Sequence, residues 1–166
     1  QLGAPAILGS MQGKWGGEVA QDQSLSWLTD ALKAADERAA ENGVVFIYEP
    51  LNRYETNQFS QLAPAATYLN DQGLEHTVLL ADLFHMNIEE PDIGQALRDA
   101  GSKVGHVHFA DSNRQAVGFG HTEMSSVMKA LGEIGYKGYL SAEIFPLPDP
   151  ETAARQTIEA FRQLAG

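Results

Sequence analysis

Val44-Val45-Phe46-Ile47-Tyr48-Glu49 is an apolar run ending in a carboxylate, and its recurrence along the chain decides the fold. Three further runs resemble it: Val78-Leu79-Leu80-Ala81-Asp82, Val104-Gly105-His106-Val107-His108 and Tyr139-Leu140-Ser141-Ala142-Glu143. Each has strand length, and a segment with helical spacing follows each. Alternating strand and helix signals specify an α/β fold with a parallel sheet, whose strands point their C-terminal ends the same way. Four separate segments thereby deliver Glu49, Asp82, His108 and Glu143 to one rim. Two Glu, one Asp and one His suit one divalent cation, Mn²⁺ first, with Co²⁺ or Mg²⁺ behind it.

Working outward, the chain reads as five strand–helix units. Strands are expected over 6–9, 44–49, 77–82, 103–110 and 138–145. Helices are expected over 24–41, 60–71, 91–100 and 123–134, with a last one opening at Asp149-Pro150-Glu151. Leu25, Leu28, Leu32 and Ala35 share one face of the first helix, and Gly43 fits its C-terminal stop. Asp149 is an N-cap residue, and proline suits the first helical position after it. Near-continuous apolar strands indicate a sheet buried on both faces. No linker or low-complexity segment divides residues 1–166, so a single domain is expected.

This pattern fits a TIM-type (β/α) barrel, in which functional groups sit on the loops at the strand C-termini. A complete barrel has eight units and about 250 residues. Five units in 166 residues predict a partial barrel, read here as the C-terminal portion of one. Its open edges should pair with another copy, so a homo-oligomer or self-association that completes the barrel is expected.

Composition narrows the class. The net charge of −11, from 22 acidic and 11 basic residues, disfavours a nucleic-acid partner. No cysteine is present, which excludes disulfides and thiolate chemistry. No run approaches the roughly 18 consecutive apolar residues of a membrane helix. No signal peptide is visible, which makes the cytoplasm the default expectation.

Strand alternation puts Val45, Ile47 and Glu49 on one face, His106 with His108, and Ser141 with Glu143. His85, three residues past Asp82, reads either as a loop histidine satisfied by a carbonyl or as a donor to a substrate oxygen. Arg114 offers a planar fork of donors to a hydroxyl or phosphate oxygen. Glu55 either binds a substrate hydroxyl or pairs with Arg53. Trp15, in a glycine-rich loop, either stacks on a sugar or packs its own loop. His106 reads as a core or supporting residue, His76 as surface, and His121 as either loop surface or site.

Glu49-Pro50-Leu51-Asn52-Arg53-Tyr54-Glu55, Asp82-Leu83-Phe84-His85-Met86-Asn87-Ile88-Glu89-Glu90, His106-Val107-His108 with Ser112-Asn113-Arg114, and Ser141-Ala142-Glu143 together resemble the sugar isomerase/epimerase family with a xylose-isomerase-like barrel. Within it the similarity is greatest to the ketose 3-epimerases acting on tagatose and psicose. The resemblance implies that Glu49, Asp82, His108 and Glu143 hold one Mn²⁺ or Co²⁺ and that Glu49 and Glu143 are the acid/base pair. It implies that His85 and Arg114 touch substrate oxygens, that Glu55 binds near the end of the sugar, and that Trp15 faces the substrate. Two departures stand out. The first three strands of the family barrel are absent, and the loop over 115–121 lacks the expected proline-containing turn.

The chemistry also follows from the residue types. A proton on carbon beside a carbonyl becomes removable when a divalent ion stabilises the developing enediolate. One carboxylate removes it and a second returns it from the opposite face, which inverts the carbon. Delivery to the neighbouring carbon instead gives aldose–ketose isomerisation. The expected activity is metal-dependent epimerisation or isomerisation of a ketose or related hydroxy-ketone. The alternatives are a hydroxypyruvate-type isomerase, an inosose dehydratase, or a catalytically incomplete half-barrel. A metal-dependent nuclease fits poorly, because it needs more histidines and a basic groove.

Overall fold

The computed structural model describes residues 3–165, so residues 1, 2 and 166 of the expected domain lie outside the described part. Its elements are β1 (Ala6–Leu8), α1 (Gln21–Glu41), β2 (Phe46–Tyr48), α2 (Leu62–Asp71), β3 (Thr77–Asp82), α3 (Leu83–Glu89), α4 (Ile93–Ala100), β4 (Val104–His108), α5 (Met124–Glu133), β5 (Leu140–Ser141) and α6 (Pro150–Ala165). The five strands form one parallel sheet in the order β1-β2-β3-β4-β5. This α/β arrangement is the one that the repeated strand–helix pattern predicts.

The helices cover one face of the sheet. Tyr48, Leu79, Ala81 and Val107 point into a core with Leu28, Leu32, Leu62, Leu69, Leu97 and Leu131. Burying each such leucine contributes roughly 1.5–3 kcal/mol. Alternation turns Ile47, Leu80, Asp82, His106 and His108 to the opposite face. Register then brings the polar ends level: Asp82 lies opposite His108, and His108 opposite Ser141. A bulge helps to set this register. Leu79 faces Val104 while Leu80 faces His106, which leaves Gly105 as the extra residue. A methyl group on Gly105 would overlap the Val78 side chain, so glycine lets the two strands close there.

Several boundaries differ from the expectation. Residues 83–90, expected as a loop, contain α3. The reason is Asp82, whose carboxylate caps the helix by accepting from the amides of Phe84 (2.8 Å) and His85 (3.4 Å). α1 starts three residues before Ser24. The Ser24 hydroxyl is buried and accepts from Gln58 Nε2 at 2.5 Å. β2 and β5 are shorter than the apolar runs that contain them. β5 has a neighbour on one side only and stops pairing where β4 stops, so Glu143 lies past its end.

Burial on both faces holds for β3 and fails toward the edges. Ile7 and Val45 are half exposed, and Tyr139 is largely exposed. Beside β5, an apolar groove of ≈ 1260 Å³ runs between α5 and α6, lined by Leu140, Ile144, Ile158, Phe161 and Leu164 among others. Among the described residues, no helix is long and apolar enough to cross a membrane.

Candidate metal centre

Each ligand-type residue is positioned by local chemistry. Glu49 follows β2, and its amide donates to Leu8 O at 3.0 Å, which extends the β1–β2 pairing. Buried Gln12 donates from Nε2 to both Gly9 O and Glu49 O at 3.0 Å, and accepts from the Tyr48 hydroxyl at 2.6 Å. Gln12 therefore ties the ends of β1 and β2 together below the carboxylate. Gly9 leaves the space that carboxylate fills, since a methyl group there would overlap Glu49 Oε2. Asp82 and His108 end β3 and β4, and Glu143 stands just past β5.

These four side chains converge. Each offers a ligand atom within 4.8 Å of the other three. His108 Nδ1 lies 3.0 Å from Asp82 Oδ2, 3.1 Å from Glu143 Oε2 and 4.0 Å from Glu49 Oε1. Octahedral bonds of about 2.1 Å put adjacent ligand atoms about 3.0 Å apart and opposite ones about 4.2 Å apart. The three spacings from His108 fall in that range. Glu49 Oε1 is buried and is one of two such side-chain oxygens without a hydrogen-bond partner among the described residues. A buried carboxylate oxygen left unpaired is unfavourable unless something positive meets it. The donor set and the orphaned oxygen both fit a divalent cation.

The electrostatics describe a cluster short of positive charge. Burial, then the nearby Asp82 charge and that of Glu143, push the Glu49 carboxyl up to about 7 against the pull of His108 and Arg114. Burial also opposes charge on His108. The hydrogen bond and charge of Asp82, with Glu49 and Glu143, outweigh it and raise the imidazole above its ordinary value. Asp82 is held below the usual carboxylate range: burial works against ionisation, and the His108 bond overcomes it, with help from His85 and the Phe84 amide.

His85 and Arg114 flank the group. His85 is buried on α3, with Nε2 3.9 Å from Glu49 Oε1, and burial keeps its pKa below the ordinary value. Its ring is held by Asn52 rather than by a backbone carbonyl. Arg114 Nη2 lies 3.1 Å from Glu143 Oε2, and its guanidinium sits 5.0 Å from the Phe84 ring centre. Glu55 does not pair with Arg53. It accepts from Asn52 Nδ2 at 3.1 Å and faces Arg114 Nη1 at 4.0 Å. Arg53 binds Glu89 instead, through Nε at 2.9 Å and Nη2 at 3.0 Å. This pair clips the loop after β2 to α3.

Trp15 ties the loop after β1 to the loop after β2. Its amide and indole N–H donate to Asn57 Oδ1 (3.0 Å) and Asn57 O (2.7 Å), and its ring is part exposed. His106 binds the Ser141 hydroxyl at 2.7 Å and packs edge-on against His108, the supporting place its alternation suggests. His76 and His121 are exposed.

Three residues that shape the site escape sequence reading. Gln12 and Asn52 lie in loops with no periodicity to flag them. Asp111 is the third. Its buried carboxylate accepts from the amides of Gly118 (2.7 Å), Ser112 (2.8 Å) and Thr122 (2.9 Å). Burial resists its ionisation, and these amides with that of Gly120 hold it below the usual range nevertheless. Asp111 thereby folds the loop that presents Arg114, whose φ of 58° is left-handed and strained for a side-chain-bearing residue.

Known proteins resemble this chain in sequence and fold. The sequence pattern described as Xylose isomerase-like TIM barrel matches residues 1–164. The chain is 34% identical over 142 residues to 3-dehydro-D-guloside 4-epimerase of Escherichia coli K12, covering 85% of this chain and 54% of that protein. It is 38% identical over 117 residues to L-ribulose 3-epimerase of Mesorhizobium japonicum, covering 70% of this chain and 39% of that protein. The crystal structure of E. coli 3-keto-D-glucoside 4-epimerase superposes with a TM-score of 0.84 at 33% identity, over 89% of this chain and 57% of that one. The chain thus spans about half the length of the relatives it matches, or less. It belongs to the xylose isomerase-like TIM barrel family, within a group of relatives that are sugar epimerases.

Proposed function

We propose that this chain carries the metal-holding and proton-transferring side of a sugar epimerase, acting on a ketose or keto-sugar at the carbon beside its carbonyl. The observation that carries the reading is the convergence of Glu49, Asp82, His108 and Glu143 from successive strand ends, with Glu49 Oε1 buried and unpaired. The epimerase relatives supply the reaction class. The four residues would hold one divalent ion, Mn²⁺ by the mix of oxygen and imidazole donors, with Co²⁺ or Mg²⁺ as alternatives. When bound, that ion supplies Lewis-acid stabilisation of the negative charge that develops on the substrate oxygens.

The chain's own residues do the rest. Glu49 and Glu143 come from well-separated strands and act as the acid/base pair. One takes the proton from the carbon next to the carbonyl, and the other returns a proton to the opposite face. Arg114, braced on Phe84 and Glu143, grips a substrate oxygen, and His85 donates to another. Glu55 binds near the end of the sugar, and the Trp15 ring walls the rim. We read residues 1–166 as the C-terminal portion of a barrel, with the open edges at β1 and β5 and the groove beside α6 covered by further strand–helix units or by a second copy.

The test is incubation with Mn²⁺ and D-fructose, D-tagatose, L-ribulose or a 3-keto-glucoside, followed by sugar chromatography. Formation of the epimer, abolished by chelation and by Glu143→Gln, is the expected result. A chain proven to bind the ion and to assemble fully, yet inert on every one of these sugars, would remove the epimerase reading.

A further inference from the structure

We propose that Asn52 fixes the tautomer of His85, so that a neutral imidazole presents its Nε2–H to the site. The backbone amide of Asn52 points at His85 Nδ1 across 3.3 Å, and a backbone N–H can only donate. The side-chain amide orientation is settled independently. Asn52 Oδ1 accepts from the Tyr54 amide at 3.0 Å, so the other arm is the NH₂ group. That group has two hydrogens and two acceptors. One goes to Glu55 Oε1 at 3.1 Å and the other to His85 Nδ1 at 2.7 Å. Two donors therefore converge on Nδ1, which must carry a lone pair. The ring proton is left on Nε2, the nitrogen 3.9 Å from Glu49 Oε1.

The arrangement also explains why asparagine stands here. Glu55 Oε1 is 3.8 Å from His85 Nδ1, and a carboxylate that near draws a proton to the nitrogen it faces. The Asn52 amide stands between them and satisfies both as acceptors. Asn52 and His85 are each 2% exposed, so water does not substitute for it. With the proton fixed on Nε2, His85 can donate to a substrate oxygen; with it on Nδ1, Nε2 would be an acceptor and could not donate to a carbonyl or an oxyanion. Asn52 is thus a positioning residue that acts through His85. Only this last role rests on the epimerase reading.

Long-range ¹H–¹⁵N spectra of the ¹⁵N-labelled chain test it directly. They are recorded metal-free and with diamagnetic Mg²⁺, above neutral pH, and the His85 signals are assigned by their loss in His85→Gln. The expected wild-type pattern is a proton on Nε2 and an unprotonated Nδ1. In Asn52→Asp, folded by circular dichroism, a carboxylate replaces the NH₂ donor and the proton moves to Nδ1. If Asn52→Asp does not fold, Asn52→Ala frees Glu55 to approach Nδ1 and must shift the ring in the same sense. A wild-type ring protonated on Nδ1, or a folded variant that keeps the wild-type pattern, overturns the inference. The spectra need no sugar, so the expected tautomer alongside absent turnover supports the inference and counts only against the epimerase reading.

Discussion

Glu49→Gln should stabilise the metal-free chain increasingly as pH rises above about 4.5, with the full gain from about pH 7 upward. The wild-type carboxyl is pushed from 4.5 up to about 7, chiefly by burial and then by Asp82. That difference corresponds to roughly 3 kcal/mol between its two protonation states. The folded pKa lies above the unfolded one. Stability present below about pH 4.5 is therefore lost as pH rises through about 7. Glutamine keeps the shape and removes the charge, so it escapes that loss. For a domain of 150–250 residues, 1 kcal/mol moves Tm by about 2–4 °C, which puts the gain near 6–12 °C at about pH 8. Losing the attraction of Glu49 for protonated His108 trims this toward the lower end. The assay is thermal unfolding by circular dichroism in chelator, at acid and at mildly alkaline pH. Added Mn²⁺ should raise Tm for the wild type and do so far less for the variant. A variant equally destabilised at both pH values would refute the picture of a crowded, cation-seeking carboxylate.

Three other outcomes follow from the same geometry. Because metal-free Glu49 holds its proton below about pH 7 and His108 is raised as well, cation affinity should fall on acidification by about tenfold per pH unit for each proton displaced, up to about a hundredfold where both are held, with proton release visible by calorimetry in two buffers; constant affinity across that range would contradict it. Gly9→Ala pushes on Glu49 Oε2, a mobile side-chain end, so Mn²⁺ affinity should drop about tenfold or more while the metal-free Tm barely changes. Asp111→Ala leaves buried amides without their acceptor and should lower stability by at least about 2 kcal/mol, together with any sugar turnover, because Arg114 loses its mount; an unchanged denaturation midpoint would show that the loop folds without it.

Much of this was legible in the sequence because two periodicities coincide. Short apolar runs alternating with helical spacing point to five parallel strands, and polar residues at the ends of four of them put Glu49, Asp82, His108 and Glu143 on one common rim. α3 was hidden because Asp82 serves at once as strand end, ligand candidate and helix cap, with no glycine or proline between strand and helix to mark the change. β5 was read too long because an apolar run reports burial potential, whereas pairing also needs a neighbour, and β5 has one. The supporting residues were hidden for a different reason. Gln12 reaches Glu49 O and Asn52 reaches His85 Nδ1, 37 and 33 residues away, while Asp111 gathers the amides of its own irregular loop from Ser112 to Thr122. Nothing in local spacing encodes such contacts.

The central claim is one cation per chain, held by four side chains from four strand ends. Titrating Mn²⁺ into the metal-stripped chain, with free ion read by electron paramagnetic resonance, tests it most directly. The wild type should hold one tight ion, and Asp82→Ala and His108→Ala variants that remain folded should lose it. No tight ion, several ions, or one that survives both substitutions would contradict it.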